Sequence, residues 1–287
     1  LRDSERFIGA NVTVPHKVRI MEFLDELDAG AKRIGAVNTI VRTPGGQLIG
    51  YNTDGEGFIA SLQETSFIES LEGIDVLLLG AGGSARAVAF HTADLLDRGQ
   101  LVICNRTLEH AESLAAEIRA AGRQARAIAE DEISTWAPRA GLIINNTTKG
   151  QGGIRKLAGG RITNLEPYSA LSPAHPPVFA ERDFQQKWPE AAQADIDANN
   201  RASMSLAEST PRSAGFYDLI YHPEETVFLR HGRLTGHRTM NGKGMIVHQA
   251  AIAFTKHICK IELQKLGKDH PQLHRQLVEV MYKAWNS

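Results

Sequence analysis

The apolar run Val76-Leu-Leu-Leu79 ends directly in Gly80-Ala-Gly-Gly-Ser-Ala-Arg86. A buried strand that turns through glycines into a helix brings backbone N–H groups up to an anion, and the helix dipole favours negative charge there. The first glycine allows the tight turn, and the second removes the side chain that would stand in a ligand's way. A small residue at the third position, Ala85, lets the helix pack close to the strand. The same pattern also fits a plain strand–helix connection, so its surroundings carry weight. Helix-compatible sequence runs from Ala85 to Leu96, and a second apolar strand, Leu101-Val-Ile-Cys104, follows it. That succession predicts a parallel sheet flanked by helices, with Gly80, Ala81, Gly82 and Gly83 cradling the pyrophosphate of a dinucleotide.

The second strand ends in Asn105-Arg106-Thr107. An NAD site places Asp or Glu near this point to hold the ribose 2′-hydroxyl, whereas a cation suits the 2′-phosphate of NADP. The planar fork of Arg106 matches a phosphate, and the Thr107 hydroxyl and nearby backbone N–H groups can assist. The cofactor expected is therefore NADP; the plainer alternative is a solvated arginine opening the next helix.

Composition narrows the function classes. The 287 residues are 42% hydrophobic and 23% charged with a net charge of −1, so nothing points to nucleic acid or to an acidic membrane as partner. The two cysteines, Cys104 and Cys259, make no disulfide framework, which fits a reducing, cytoplasmic setting. No apolar run reaches membrane-spanning length. The histidines lack ligand spacing, so no metal site is expected.

Strand and helix patterns alternate from Gly73 to about Ala129, and a further strand, Gly141-Leu-Ile-Ile144, ends in Asn145-Asn-Thr-Thr-Lys-Gly150. Phe216 to Tyr221 reads as the next strand. Between them, residues 151–215 carry six prolines and show no parallel-sheet unit, although helix is compatible with Glu181 to Ala207. This stretch is expected to be a peripheral insertion. Earlier in the chain, Phe7 to Val14 suits a short strand. Pro15 then opens a helix to about Leu27, Ala36 to Arg42 and Gln47 to Tyr51 form a hairpin, and a helix follows Asp54 to about Gln63. Helical segments at Gly244–Lys260 and Pro271–Trp285 close the chain.

A second group of polar residues precedes the glycine-rich loop. Asn11-Val-Thr-Val-Pro-His-Lys17 places a lysine in a first helical turn, Asn38-Thr39 lies on a strand, and Asn52-Thr-Asp54 stands where a hairpin gives way to a helix. Singly, each has an ordinary explanation as a surface lysine, a turn former or a helix cap. Together they suit hydride chemistry at a carbinol carbon, which needs a group to exchange the hydroxyl proton; a lysine oriented by a carboxylate can do this.

In order along the chain, Asn11-Val-Thr-Val-Pro-His-Lys17, Gly35-Ala-Val-Asn-Thr39, Gly50-Tyr-Asn-Thr-Asp-Gly55, Gly80-Ala-Gly-Gly83, Asn105-Arg-Thr107, Ile143-Ile-Asn-Asn-Thr147, Tyr217-Asp-Leu-Ile-Tyr221 and Gly242-Lys-Gly-Met-Ile-Val-His-Gln249 resemble the motifs of the shikimate dehydrogenases. The resemblance implies NADP-dependent interconversion of 3-dehydroshikimate and shikimate, on the route to chorismate and the aromatic amino acids. It implies Lys17 as catalytic lysine with Asp54 as its partner, and Thr13, Asn38, Tyr217 and Gln249 as substrate-holding residues. Gly80, Ala81, Gly82, Gly83, Asn105, Arg106 and Thr107 match the NADP site, with Met245 near the nicotinamide. The implied fold is α/β in two domains. Residues 1–67 and 244–287 make the substrate domain, completed by C-terminal helices, and residues 68–243 make a Rossmann-type domain with the insertion at 151–215.

The chain departs from the family pattern at three places. A Ser-x-Ser element that grips the substrate carboxylate has no match before Asn11, so the N-terminal portion of such a protein is expected to be missing. A basic residue common three positions after the threonine is His110 here. The 151–215 stretch is longer than the usual link. Quinate or a related polyol acid as substrate, and a non-catalytic NADP- or ligand-binding sensor on the same scaffold, stay open as alternatives, as does a monomer or a homodimer.

Overall fold

Val76, Leu77, Leu78 and Leu79 are each no more than 2% exposed, so the strand Asp75–Leu79 is covered on both faces. Such burial belongs to an inner strand of a parallel sheet with helices on both sides. The computed structural model describes residues 1–4, 6–13 and 15–286. The chain forms two compact units: residues 67–82 and 93–243 make one, and residues 1–66, 83–92 and 244–287 the other.

The described residues of the first of these units form a six-stranded parallel sheet. Its spatial order is Arg238–Met240, Gly215–Asp218, Ala140–Asn145, Asp75–Leu79, Leu101–Cys104 and Ala125–Ile128. The chain starts in the middle, adds two strands on one side, then crosses to Ala140–Asn145 on the other. This is the Rossmann-type arrangement, and the reversal places a crevice outside the carboxyl ends of Asp75–Leu79 and Ala140–Asn145. Strand ends there are tied by Asp218, whose carboxylate accepts hydrogen bonds from Asn145 Nδ2 at 2.9 Å, Thr226 Oγ1 at 2.6 Å and the Ile220 N–H at 2.9 Å. Burial pushes the Asp218 carboxyl up to about 7, against those three donors.

Within residues 151–215 the structure adds a sheet that periodicity did not reveal to the helix that the sequence allows. Ile154–Lys156, Arg161–Asn164 and Phe179–Ala180 form an antiparallel three-stranded sheet, and a helix runs over Glu181–Ser209. Ile162, Tyr168, Phe184, Trp188 and Ala192 give it a small core of its own.

In the other unit, Gly9–Asn11, Thr39–Arg42 and Leu48–Tyr51 are antiparallel neighbours, and Glu26–Leu27 joins Leu48–Tyr51 in parallel. The strand expected from Phe7 to Val14 is confined to Gly9–Asn11; Val14 lies outside the described residues. The helix expected from Pro15 to Leu27 is not formed. A 3-10 turn over Arg19–Phe23 gives way to the strand Glu26–Leu27. Pairing with a strand edge overrides local helix preference there: the Asp25 N–H donates to Leu48 O at 2.9 Å and the Asp25 carboxylate accepts from the Leu48 N–H at 2.7 Å. Leu24 and Leu27 are thereby packed against Val37, Ile40 and Leu48. Helices Asp54–Glu64, Lys243–Ile252 and Pro271–Asn286 cover this unit, and Lys243–Ile252 passes into a π-helical turn at Ala253–Ile258. Among the described residues, no helix is long and apolar enough to cross a membrane.

Candidate active site

Lys17 and Asp54 meet. Lys17 Nζ donates to Asp54 Oδ2 at 2.6 Å, and the two side chains are only 12% and 5% exposed. Each is delivered by local backbone chemistry. A turn closed by the His16 N–H on Thr13 O (2.9 Å) precedes Lys17, whose carbonyl accepts the Val37 N–H at 2.8 Å. Asp54 is the first residue of its helix; Asn52 Oδ1 accepts the Asp54 N–H at 3.0 Å, and Asn52 Nδ2 donates to Ala36 O at 2.9 Å. A carboxylate in a first helical turn is also favoured by the helix dipole.

Asn38 holds the other carboxylate oxygen. Its side-chain amide donates to Asp54 Oδ1 at 2.8 Å and lies 3.0 Å from Thr53 Oγ1 and 3.1 Å from Gln249 Oε1. Its own oxygen accepts the Thr53 N–H and the Thr39 hydroxyl, both at 2.9 Å. Gln249 reaches this cluster because Gly57 lets two helices touch: a Cβ at Gly57 would stand 2.7 Å from Gln249 N and Cβ. Met245, one turn before Gln249, is buried at 6% exposure. Thr13 is exposed.

Ser84 was not among the sequence candidates, yet its hydroxyl accepts a second bond from Lys17 Nζ at 3.3 Å. Thr53 was missed too, although its hydroxyl donates to Gln249 O at 3.0 Å. Tyr217 belongs to the Rossmann-type unit, where it is fully buried and edge-on to Phe67.

That unit carries a cleft of about 310 Å3 at the carboxyl ends of its strands, bordered by Gly80, Ala81, Gly82, Asn105, Arg106 and Thr107. Gly80 is demanded by the fold: its φ is +107° and a Cβ would stand 2.7 Å from Asn146 O. Gly82 is different. Among the described residues, no atom beyond its chain neighbours lies within 4 Å of a Cβ there, so its bareness answers no packing need among them and leaves room at the helix N-terminus. Asn105 braces the two loops, with Oδ1 accepting the Ala81 N–H at 3.2 Å and Nδ2 donating to Thr107 O at 2.8 Å. Gly80, Ala81, Gly82 and the exposed Arg106 border one cleft, a set of groups that can hold a phosphate-rich ligand such as a nicotinamide dinucleotide. Cys104 lines the same cleft as an inert thiol, pushed up to about 12 mainly by burial.

Two family models match the chain: the shikimate dehydrogenase substrate binding domain over residues 1–40, and shikimate / quinate 5-dehydrogenase over residues 62–157. Shikimate dehydrogenase (NADP(+)) of Symbiobacterium thermophilum is 37% identical over 251 residues, which are 86% of this chain and 69% of that protein. The chain belongs to the shikimate dehydrogenase family. Among solved structures of this family, a shikimate dehydrogenase in complex with NADP+ is similar with a TM-score of 0.64 and 32% identity, over 87% of this chain and 70% of that one. Quinate dehydrogenase from Corynebacterium glutamicum in complex with NAD is similar with a TM-score of 0.64 and 25% identity, over 87% and 72%. Family membership makes the chain an oxidoreductase of the nicotinamide-dependent dehydrogenase type. Among the described residues, no group of three or more His, Cys, Asp or Glu could hold a metal.

Proposed function

We propose that this protein interconverts 3-dehydroshikimate and shikimate with NADP, with Lys17 exchanging the proton of the reacting oxygen. The observation that carries the reading is the 2.6 Å contact between Lys17 and Asp54, set in a buried amide network yet leaving Lys17 partly accessible. A scaffold used only to bind ligand has no need of a proton-transfer pair. When bound, NADP supplies the hydride acceptor or donor that the side chains themselves lack.

Each side chain then has a definable task. In the reductive direction the Lys17 ammonium donates its proton to the oxygen as negative charge develops on it; in the oxidative direction Lys17 receives that proton. Asp54 orients Lys17 through Oδ2, and Asn38 fixes Asp54 through Oδ1. Ser84 gives Lys17 a second anchor. Thr13 and Gln249 are assigned, with Asn38, to holding the substrate. Gly80, Ala81, Gly82 and Gly83 take the pyrophosphate, and Arg106 and Thr107 the 2′-phosphate with Asn105 as brace.

Initial rates of nicotinamide reduction, followed by absorbance with shikimate and quinate and with NADP and NAD in parallel, test the reading. The highest kcat/KM is expected for shikimate with NADP. A preference for quinate or for NAD would overturn the substrate or the cofactor assignment. Dinucleotide binding without turnover of either acid would favour the sensor.

A further inference from the structure

The cleft that borders Arg106 is not walled by the Rossmann-type core alone. Arg155, Leu165, Ala170, Ala174 and Pro176, all from residues 151–209, line it as well. We propose that this segment forms the wall against the adenosine end of the dinucleotide, and that Arg155 is the second cation, beside Arg106, for its 2′-phosphate. The inference rests on the dinucleotide reading above and assigns an insertion to cofactor selection.

The wall is built to stay in place. Asn199, 2% exposed on the helix Glu181–Ser209, accepts the Ser169 N–H at 2.8 Å and donates to the carbonyls of Ser172 and Pro173 at 3.0 and 2.9 Å. The loop bearing Ala170 and Ala174 is thus fastened on both sides of Ala170. Further along, Asp195 Oδ2 accepts the His175 N–H at 2.8 Å, and Trp188 Nε1 donates to Pro177 O at 3.0 Å. Small and aliphatic side chains on a fixed loop line the cleft with apolar surface, which suits a purine ring without needing to reorganise.

Charge singles out Arg155. Lys149 also lines the cleft, but its Nζ donates to Glu130 Oε1 at 2.6 Å and to Ser172 O at 2.8 Å, so its charge is neutralised inside the protein. The Arg106 side chain makes no hydrogen bond or ion pair among the described residues. Arg155 Nη1 donates to Thr148 Oγ1, itself a cleft residue, and this holds an exposed guanidinium at the rim. A guanidinium has five N–H donors, and Thr148 takes only one of them. Arg155 therefore supplies a fixed positive charge in the cleft that Arg106 borders.

Titration calorimetry with 2′,5′-ADP and 5′-AMP on the full chain tests this, using wild type, Arg155→Ala, Arg155→Gln and Arg106→Ala. Glutamine keeps a donor for Thr148 and removes the charge. Both Arg155 variants should bind 2′,5′-ADP about tenfold more weakly, the size of one lost charge-assisted hydrogen bond, with 5′-AMP affinity within twofold of wild type. If both bind 2′,5′-ADP like wild type while Arg106→Ala weakens it, the role of Arg155 is wrong and the dinucleotide reading stands. If wild type binds neither nucleotide, that reading fails and this inference with it.

Discussion

Asn38 donates its side-chain amide to Asp54 Oδ1 at 2.8 Å, on the carboxylate whose other oxygen receives Lys17 at 2.6 Å. The carboxylate is thereby fixed from two sides, and the amide that fixes it is 2% exposed. Removing Asn38 would strand the Thr53 N–H and the Thr39 hydroxyl as well as one side of Asp54. Asn38→Ala is expected to cost about 3 kcal/mol in urea unfolding, the scale of several buried polar groups left unpaired.

Asp54→Ala leaves Lys17 with Ser84 as its side-chain hydrogen-bond partner among the described residues. A loss of about 3 kcal/mol is expected, because breaking one side of a buried pair leaves the other charge uncompensated. The double variant Lys17→Ala/Asp54→Ala should lose less than the sum of the two single variants, a coupling that a double-mutant cycle in urea measures directly.

Two glycines of one loop should behave in opposite ways. Gly80→Ala forces a side chain onto a +107° φ and into Asn146 O, so a loss of about 3 kcal/mol in stability is expected. Gly82→Ala meets no atom beyond its chain neighbours among the described residues and should cost about 1 kcal/mol or less, as at other helix N-caps. Its added methyl group stands where the pyrophosphate is proposed to lie, so NADP affinity should fall at least tenfold. Thermal melts and calorimetry on the two variants separate the effects.

His231 sets an acid limit. Its imidazole, held by Ser203 Oγ at 2.8 Å from Nδ1, is lowered from 6.5 to about 4, chiefly by burial and then by the Arg230 charge. A folded-state value below the unfolded one means the contribution is present above pH 6.5 and is lost as pH falls through about 4. His231→Gln should therefore show a smaller drop in Tm than wild type between pH 6.5 and 4; an equal drop would assign the acid sensitivity elsewhere.

Lys17, Asn38 and Asp54 could be picked out from sequence because each sits in a compact motif whose turn chemistry is local. Ser84 could not. Its contact with Lys17 depends on where the helix Gly83–Leu95 packs, which a run of small residues does not encode. The strands Leu101–Cys104 and Ala140–Asn145 were legible as unbroken aliphatic runs, the mark of burial on both faces. Ile154–Lys156 was not, because its residues are exposed and pair only with one neighbouring strand. Arg155 was overlooked for the same reason. Glu26–Leu27 was hidden by the helical pattern around it and is decided by pairing with Leu48–Tyr51, a contact distant in sequence.

The most direct test follows shikimate-dependent NADP reduction in wild type and Lys17→Ala side by side, with 2′,5′-ADP affinity measured on both. Wild type is expected to turn over. Lys17→Ala should lose at least about a hundredfold in kcat, the range of a removed general acid–base, while binding 2′,5′-ADP unchanged. Equal kcat in the two proteins would contradict the assignment of proton transfer to Lys17.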